Sequence, residues 1–172
     1  MKKEIILLFI VVIGVCLICG CVNQSQSSSQ KSVVIPTPTL KTHYVLNEPA
    51  TDGNLRITVV NVGGRIKQDL LQGTSIKICQ PVLKLENLNS GKTVQLLASD
   101  FQLLDENNNI ISSYITFGGG ESKYNLAPNQ REQEVLEVYN YDYSSEKAKG
   151  RSPILKFDFS VSSGKRIVYF IL

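Results

Sequence analysis

The chain has 172 residues and a formal net charge of +3, from 18 Lys and Arg against 15 Asp and Glu. This length predicts one domain that can bury a hydrophobic core, and with so small an excess of basic residues no patch strong enough to hold the phosphates of nucleic acid is evident. Of the four cysteines, all but Cys79 fall in the first 21 residues, so the folded part has no intramolecular disulfide.

The amino terminus has the features of a signal peptide. Lys2 and Lys3 precede an almost unbroken apolar run. The run ends in "ICGC", residues 18–21, which resembles a prokaryotic lipobox: a small residue admits the signal peptidase, and the thiol of Cys21 accepts diacylglycerol. We therefore expect residues 1–20 to be a lipoprotein signal peptide and Cys21 to be the lipidated first residue of the mature chain.

The same apolar run has a second interpretation as an uncleaved membrane anchor. A spanning helix usually needs roughly 17 to 25 residues, and the run has about the minimum length. In both interpretations the lysines stay in the cytoplasm and the rest of the chain is exported. Both therefore predict a domain that is extracytoplasmic and anchored to the outer face of the cell membrane.

Residues 21–42 predict a flexible linker. The segment "NQSQSSSQKSVVIPTPTLKT" is rich in Ser and Gln and then in Pro and Thr. Such a composition cannot bury enough apolar area to fold alone. We expect a disordered spacer between the membrane and the domain.

Residues 43–172 have the periodicity of strands. "NLRITVV" alternates Leu55, Ile57 and Val59 with polar residues, and "SIKICQPVLKLENL" changes its apolar parity at Pro81, which predicts a β-bulge there. Turn-rich segments separate six shorter runs: "TVQLL", "FQLL", "IISSYITF", "QEVLEVY", "ILKFDFSV" and "KRIVYFIL". This pattern predicts an all-β antiparallel sandwich of about 7–9 strands, with one helical turn at Ser145–Gly150.

Several stretches in order resemble one family. They are "YVLNEPATDGNLRITVVNV", "PVLKLENLNSGKTVQLLASDFQLLDENNNII", "YNLAPNQ", "LKFDF" and "KRIVYFIL", and they are similar to the extracytoplasmic Ig-like domains called Domain of Unknown Function 4352, found largely on prokaryotic lipoproteins. The chain departs from the family pattern at Asn129, where Gly is common, and in "DENNN", which lacks Gly. The resemblance implies an Ig-like β-sandwich and no established activity.

The residues for catalysis or metal binding are sparse. His43 is the single histidine and lies at the linker border, so a catalytic triad has one candidate base. One His and Cys79 cannot supply a zinc site, and we expect neither a metal nor a cofactor.

"DENNN", residues 105–109, resembles a calcium loop but has Ile110 in place of its Gly, and it predicts a hairpin turn. Gly118–Gly120 has no following Lys-Ser/Thr and predicts a flexible loop.

Carboxylates leave one enzymatic alternative open. Two acids that face one cleft can hydrolyse glycosides. A simpler explanation of the acids Glu132, Glu134 and Glu137 is that they lie on the solvated side of strands or turns. We expect no enzymatic activity. A carboxylate hydrolase would show a cleft that gathers acids beneath the segment "YNYDY". A small-ligand carrier would instead show an apolar cavity between the sheets.

The segment "YNYDY" is the candidate binding patch. Tyr139, Tyr141 and Tyr143 recur at i, i+2 and i+4, so in a continuous strand their rings share one face and can stack on sugars or contact a protein. In the alternative, Tyr139 packs into the core and the other two cover its edge. The sequence thus predicts a membrane-anchored, non-catalytic lipoprotein whose partner, besides the membrane, is a protein or glycan of the envelope or the cell exterior.

Overall fold

The computed structural model describes residues 41–69, 73–112, 114–159 and 166–172. The expected signal peptide or anchor (1–20), Cys21 and all but the end of the linker lie outside these residues, so those assignments stay predictions. No helix in the described part of the chain is long and apolar enough to cross a membrane.

Most of the described chain is strand, with one short α-helix. The strands are β1 (His43–Tyr44), β2 (Ala50–Thr51), β3 (Leu55–Asp69), β4 (Thr74–Asn87), β5 (Val94–Leu97), β6 (Phe101–Leu104), β7 (Ile110–Ser112), β8 (Ile115–Phe117), β9 (Lys123–Leu126), β10 (Arg131–Tyr139), β11 (Ile154–Phe159) and β12 (Arg166–Ile171). The α-helix is α1 (Tyr143–Ala148), and 3₁₀ turns cover Ala98–Asp100 and Gly118–Gly120. The helix confirms the predicted helical turn. The described chain has more strands than the predicted 7–9. Two of the additional ones, β1 and β2, have two residues each and are too short to show a period in the sequence.

The strands form two five-stranded sheets and a small two-stranded one. Sheet A has the order β1-β12-β11-β6-β7, sheet B has the order β2-β3-β4-β10-β8, and β5 pairs with β9. The pairing of β1 with β12 is parallel, and the other strand pairs are antiparallel. The predicted all-β sandwich is therefore confirmed.

Alternating side chains fill the space between the sheets. In β11, Leu155, Phe157 and Phe159 are buried, while the residues between them are half-exposed. Phe101 of sheet A packs edge-on against Phe117 of sheet B, with ring centroids 6.0 Å apart and planes at 89°. Such aromatic pairs add about 0.5–1.5 kcal/mol beyond the area that they bury, so this contact helps to hold the two sheets together.

The predicted bulge lies in a different strand. The pairing of β4 with β10 keeps one register on both sides of Pro81, and the register shift occurs in β3, between Val59 and Asn61. The prediction at Pro81 was wrong because it assumed one apolar face. Ile78 is 1% exposed but points away from the core, since the adjacent Cys79 points into it. Sheet B therefore has apolar residues on its outer face as well.

Candidate functional site

The three tyrosines of "YNYDY" do not form one exposed row. β10 ends at Tyr139, and Asn140 has a left-handed φ of 62°, which turns the chain out of the strand. Tyr141 and Tyr143 are 7% and 5% exposed and belong to the core. Tyr139 lies half-buried on the outer face, because its neighbour Val138 faces inward. Both predicted arrangements are therefore wrong, and binding of a partner at these tyrosines stays a prediction.

Tyr139 instead pairs with a tyrosine that the sequence did not single out. The ring of Tyr114 lies 4.7 Å from that of Tyr139, with the planes at 49°. The main chains are joined too, because the N–H of Tyr139 donates to the carbonyl of Tyr114 at 3.1 Å. Ser112 Oγ donates to the carbonyl of Tyr139 at 2.8 Å. Tyr114 is 61% exposed, so its ring faces solvent while it packs against Tyr139.

A buried ion pair lies beside these rings. Glu137 is 5% exposed, although we expected it to be solvated. Its Oε1 accepts from Arg65 Nη2 at 2.5 Å, and its Oε2 accepts from the Tyr139 hydroxyl at 2.8 Å. The pKa of Tyr139 is raised mainly by burial and secondly by this hydrogen bond to the carboxylate of Glu137. We call Arg65, Tyr114, Glu137 and Tyr139 the tyrosine face.

A second feature is a groove of about 590 Å³ beside the end of β10. Its wall includes Tyr141 and four acids, Asp105, Glu106, Asp142 and Glu146, with Arg151 as a basic neighbour. We call it the acidic groove. It gathers acids next to "YNYDY", which is the arrangement that the hydrolase alternative requires.

Most of the acids in this groove are held as carboxylates by structural bonds. Asp105 accepts from the side chain and N–H of Asn109 and from the N–H of Asn107, which lowers its pKa. Asp142 pairs with Lys77 at 2.5 Å and caps α1 through the N–H of Ser145; the lysine contact is the main cause of its lowered pKa.

Glu146 is held in the same way. It pairs with Lys149 at 2.7 Å and with Arg151 at 2.8 Å, and the hydrogen bond from Lys149 is the main cause of its lowered pKa. A general acid in glycoside hydrolysis needs a raised pKa so that it keeps its proton. The pKa values of Asp105, Asp142 and Glu146 are shifted in the opposite direction.

The remaining candidates have structural contacts. His43 is exposed and stacks on Tyr169, with ring centroids 5.0 Å apart. Cys79 is a buried free thiol, and burial raises its pKa to about 12. Glu134 accepts from the N–H of Gly118 at 3.0 Å, and the exposed Glu132 accepts from the hydroxyl of Tyr124. These contacts explain the residues without a ligand.

The two loops that mimic ligand motifs have turn geometry. Residues 105–109 connect β6 to β7, and Asn108 has a left-handed φ of 64°, which confirms the predicted hairpin turn. Gly118–Gly120 forms a 3₁₀ turn with positive φ at Gly119 and Gly120. Across the described ranges, no three His, Cys, Asp or Glu side chains come together to hold a metal ion.

Few features of the sequence indicate the tyrosine face. Tyr114 stands in "IISSYITF", which reads as one strand, but the chain leaves sheet A after Ser112 and enters sheet B at Ile115. Its partner Tyr139 is 25 positions later. The cross-strand register that brings them together depends on the fold, so sequence spacing alone could not show it.

No protein-family model matches the chain, and no match was found among curated proteins. Among solved structures, the chain is similar to an uncharacterized β-sandwich protein from Clostridium difficile 630, with 13% identity and a TM-score of 0.47. The similarity covers 76% of this chain and 93% of that protein.

Proposed function

We propose that this chain is an extracytoplasmic binding domain held at the outer face of the cell membrane, through a lipid on Cys21 or through an uncleaved N-terminal helix. The lipobox-like residues 18–21 and the linker support the anchoring. The resemblance to Domain of Unknown Function 4352 supports it too, because such domains occur largely on prokaryotic lipoproteins.

The exposed ring of Tyr114 carries the binding part of the proposal. Large aromatic side chains usually bury most of their area, yet Tyr114 is 61% exposed and is held in place by Tyr139. An ordered aromatic ring on an open sheet face loses little conformational freedom when a partner contacts it. The tyrosine face is therefore the surface that we assign to the partner.

A surface site fits the packing better than a site between the sheets. The inner faces of the described strands form one cluster of buried side chains, among them Leu83, Leu136, Phe157 and Phe170. A carrier for a small apolar ligand would need an open cavity there. The packing of these residues favours binding on the outer face.

A carboxylate hydrolase is the second candidate, and the acidic groove is the observation in its favour. The lowered pKa values of Asp105, Asp142 and Glu146 weigh against it, because none of the three would keep a proton for a leaving group near neutral pH. We therefore place binding ahead of hydrolysis. Hydrolysis of an envelope polymer by the wild type but not by Asp142→Asn would reverse this order.

The anchoring is tested by the intact mass of the native protein extracted from membranes. We expect a chain that begins at Cys21 and carries added acyl mass, and we expect Cys21→Ala to lose both the processing and the added mass. An unprocessed chain from Met1 that remains in the membrane would support the helical anchor instead. A chain released without either feature would contradict the anchoring.

The binding is tested with the full chain in detergent micelles and envelope fragments from the cells that produce it. We expect the wild type to sediment with the fragments and Tyr114→Ala to remain in the supernatant. Tyr169→Ala is the matched control, because it removes a tyrosine that is paired with an aromatic ring on sheet A. Equal sedimentation of all three proteins would contradict the assignment of the tyrosine face.

A further inference from the structure

We propose that the ligand of the tyrosine face is a carbohydrate and that Tyr114 stacks on one of its pyranose rings. This inference rests on the proposed function and names the ligand class for the same site. It depends on three features: one exposed ring, polar groups on the same sheet face, and the balanced charges of Arg65 and Glu137.

The ring has the geometry that stacking requires. A pyranose presents C–H groups on its faces and hydroxyls around its edge, so an aromatic face can cover the former while polar neighbours bind the latter. Tyr139 packs against Tyr114 with ring centroids 4.7 Å apart. On the same outer face, Ile78 is 1% exposed and Ile76, Val82 and Val135 are half-buried. Tyr114 is therefore the strongly exposed apolar side chain of this face among the described residues, and one such ring suits a sugar better than a protein partner, which buries a broad patch.

Polar groups with unused hydrogen-bonding capacity share the outer sheet face with the ring. Arg65 has five N–H donors, and its side chain is 46% exposed beyond its bond to Glu137. Gln80 lies two residues from Ile78 on the same outer face and is half-buried. Thr116, opposite Glu137 in the register, is 5% exposed, and its hydroxyl is buried near the Tyr139 phenol, so it lies beneath the surface that a sugar would contact.

Within the tyrosine face, the charges of Arg65 and Glu137 balance one another at 2.5 Å. Lys67, two residues from Arg65 on the same outer face, is exposed and basic, so the surroundings admit a neutral or an acidic sugar and do not favour a cationic peptide. Sugar hydroxyls both donate and accept, and they can therefore bind the guanidinium of Arg65 and the amide of Gln80 together. A polysaccharide of the envelope or the cell exterior combines this chemistry with the extended shape that an open sheet face accommodates.

The test uses the full chain in detergent micelles on an array of microbial and host glycans. We expect at least one glycan to bind, with the affinity reduced at least about tenfold in Tyr114→Ala. Tyr114→Phe keeps the ring and should retain most of the affinity, whereas Tyr169→Ala should match the wild type. Circular dichroism of each variant establishes that the fold is intact.

Pretreated envelope fragments separate the two proposals. Periodate cleaves vicinal diols of sugars, and proteinase K removes proteins. Binding that depends on Tyr114, is lost after periodate and survives proteinase K supports the carbohydrate. Binding that depends on Tyr114, survives periodate and is lost after proteinase K overturns the carbohydrate but leaves the proposed function intact. No binding to either the array or the fragments overturns both.

Discussion

Arg65 in β3 reaches across β4 to Glu137 in β10, so one ion pair connects two strands that are not neighbours. The guanidinium and carboxylate atoms lie 2.5 Å apart, and the Glu137 side chain is 7% exposed. Removing Arg65 would leave this buried carboxylate with the Tyr139 hydroxyl. We expect Arg65→Ala to lower the free energy of unfolding by about 1–3 kcal/mol, the usual effect of depriving a buried polar group of a partner.

Urea unfolding followed by circular dichroism measures this effect. Lys67→Ala is the matched control, because it removes an exposed basic side chain from the same strand. Substitutions at such sites usually change stability by less than about 0.5 kcal/mol. If both variants unfolded at the wild-type urea concentration, the ion pair would contribute nothing measurable to the stability of the fold.

A second prediction concerns Asn87, which is 2% exposed at the end of β4. Its Nδ2 donates to the carbonyls of Lys92, Leu126 and Ala127 at 2.8, 3.0 and 2.9 Å. We expect Asn87→Ala to lower the free energy of unfolding by about 2 kcal/mol, because the buried carbonyl of Leu126 and two part-buried carbonyls lose their donor at once.

The control for Asn87 is Asn125→Ala. Asn125 is exposed, and its side chain accepts from Gln95 at 3.0 Å. Its loss should have a small effect in the same urea titration. Similar stabilities for the two variants would mean that water replaces the amide of Asn87 without cost.

Much of the fold could be predicted because strand periodicity is a local property. The alternation of Leu155, Phe157 and Phe159 is visible in the sequence and matches their burial. The turn at residues 105–109 was predictable for the same reason, since Asn108 tolerates the left-handed backbone. Structure that is determined by residues within a few positions of one another could therefore be predicted.

The candidate site could not be predicted because it depends on residues far apart in sequence. Arg65 and Glu137 are 72 positions apart, and one left-handed residue, Asn140, decides that Tyr141 enters the core while Tyr139 does not. The spacing of the tyrosines is visible in the sequence. That β10 ends at Tyr139, before the other two, is not.

The acidic groove leads to a prediction about pH. The lowered pKa values of Asp142 and Glu146 mean that their contacts stabilise the fold above the unfolded values, near 3.8 and 4.5. This stabilisation is lost as the pH falls through the lower, folded values. We expect the urea midpoint to decrease as the pH is lowered from about 5 to about 3, and Asp142→Asn to show a smaller decrease.

The partner of Asp142 provides the control for that titration. Lys77→Met removes the ammonium group that lowers the pKa of Asp142, so it should reduce the pH dependence as Asp142→Asn does. The double variant should add little to either single change, since both remove one interaction. Additive effects would show that the two side chains act independently.

The thiol of Cys79 should be unreactive in the folded protein. It is fully buried, and burial raises its pKa to about 12, so very little thiolate forms near neutral pH. We expect native wild type and native Cys79→Ser to react equally with a thiol reagent, and unfolded wild type to show one additional reactive group. An extra reactive thiol in the native wild type would mean that this part of the core opens readily.

The turn at Ala127–Gln130 tests whether Asn129 takes the place of glycine. The N–H of Gln130 donates to the carbonyl of Ala127 at 3.1 Å, and Asn129 has a φ of 59°; with Pro128 before it, this is the pattern of a type II turn, which needs Gly or Asn at that position. We expect Asn129→Gly to leave the urea midpoint near the wild-type value. Asn129→Val should cost about 1–2 kcal/mol, because a branched side chain clashes in the left-handed region. Asn125→Val, at a strand position, should lower the free energy of unfolding by less. Equal losses of stability in the two variants would contradict the requirement for a left-handed backbone at Asn129.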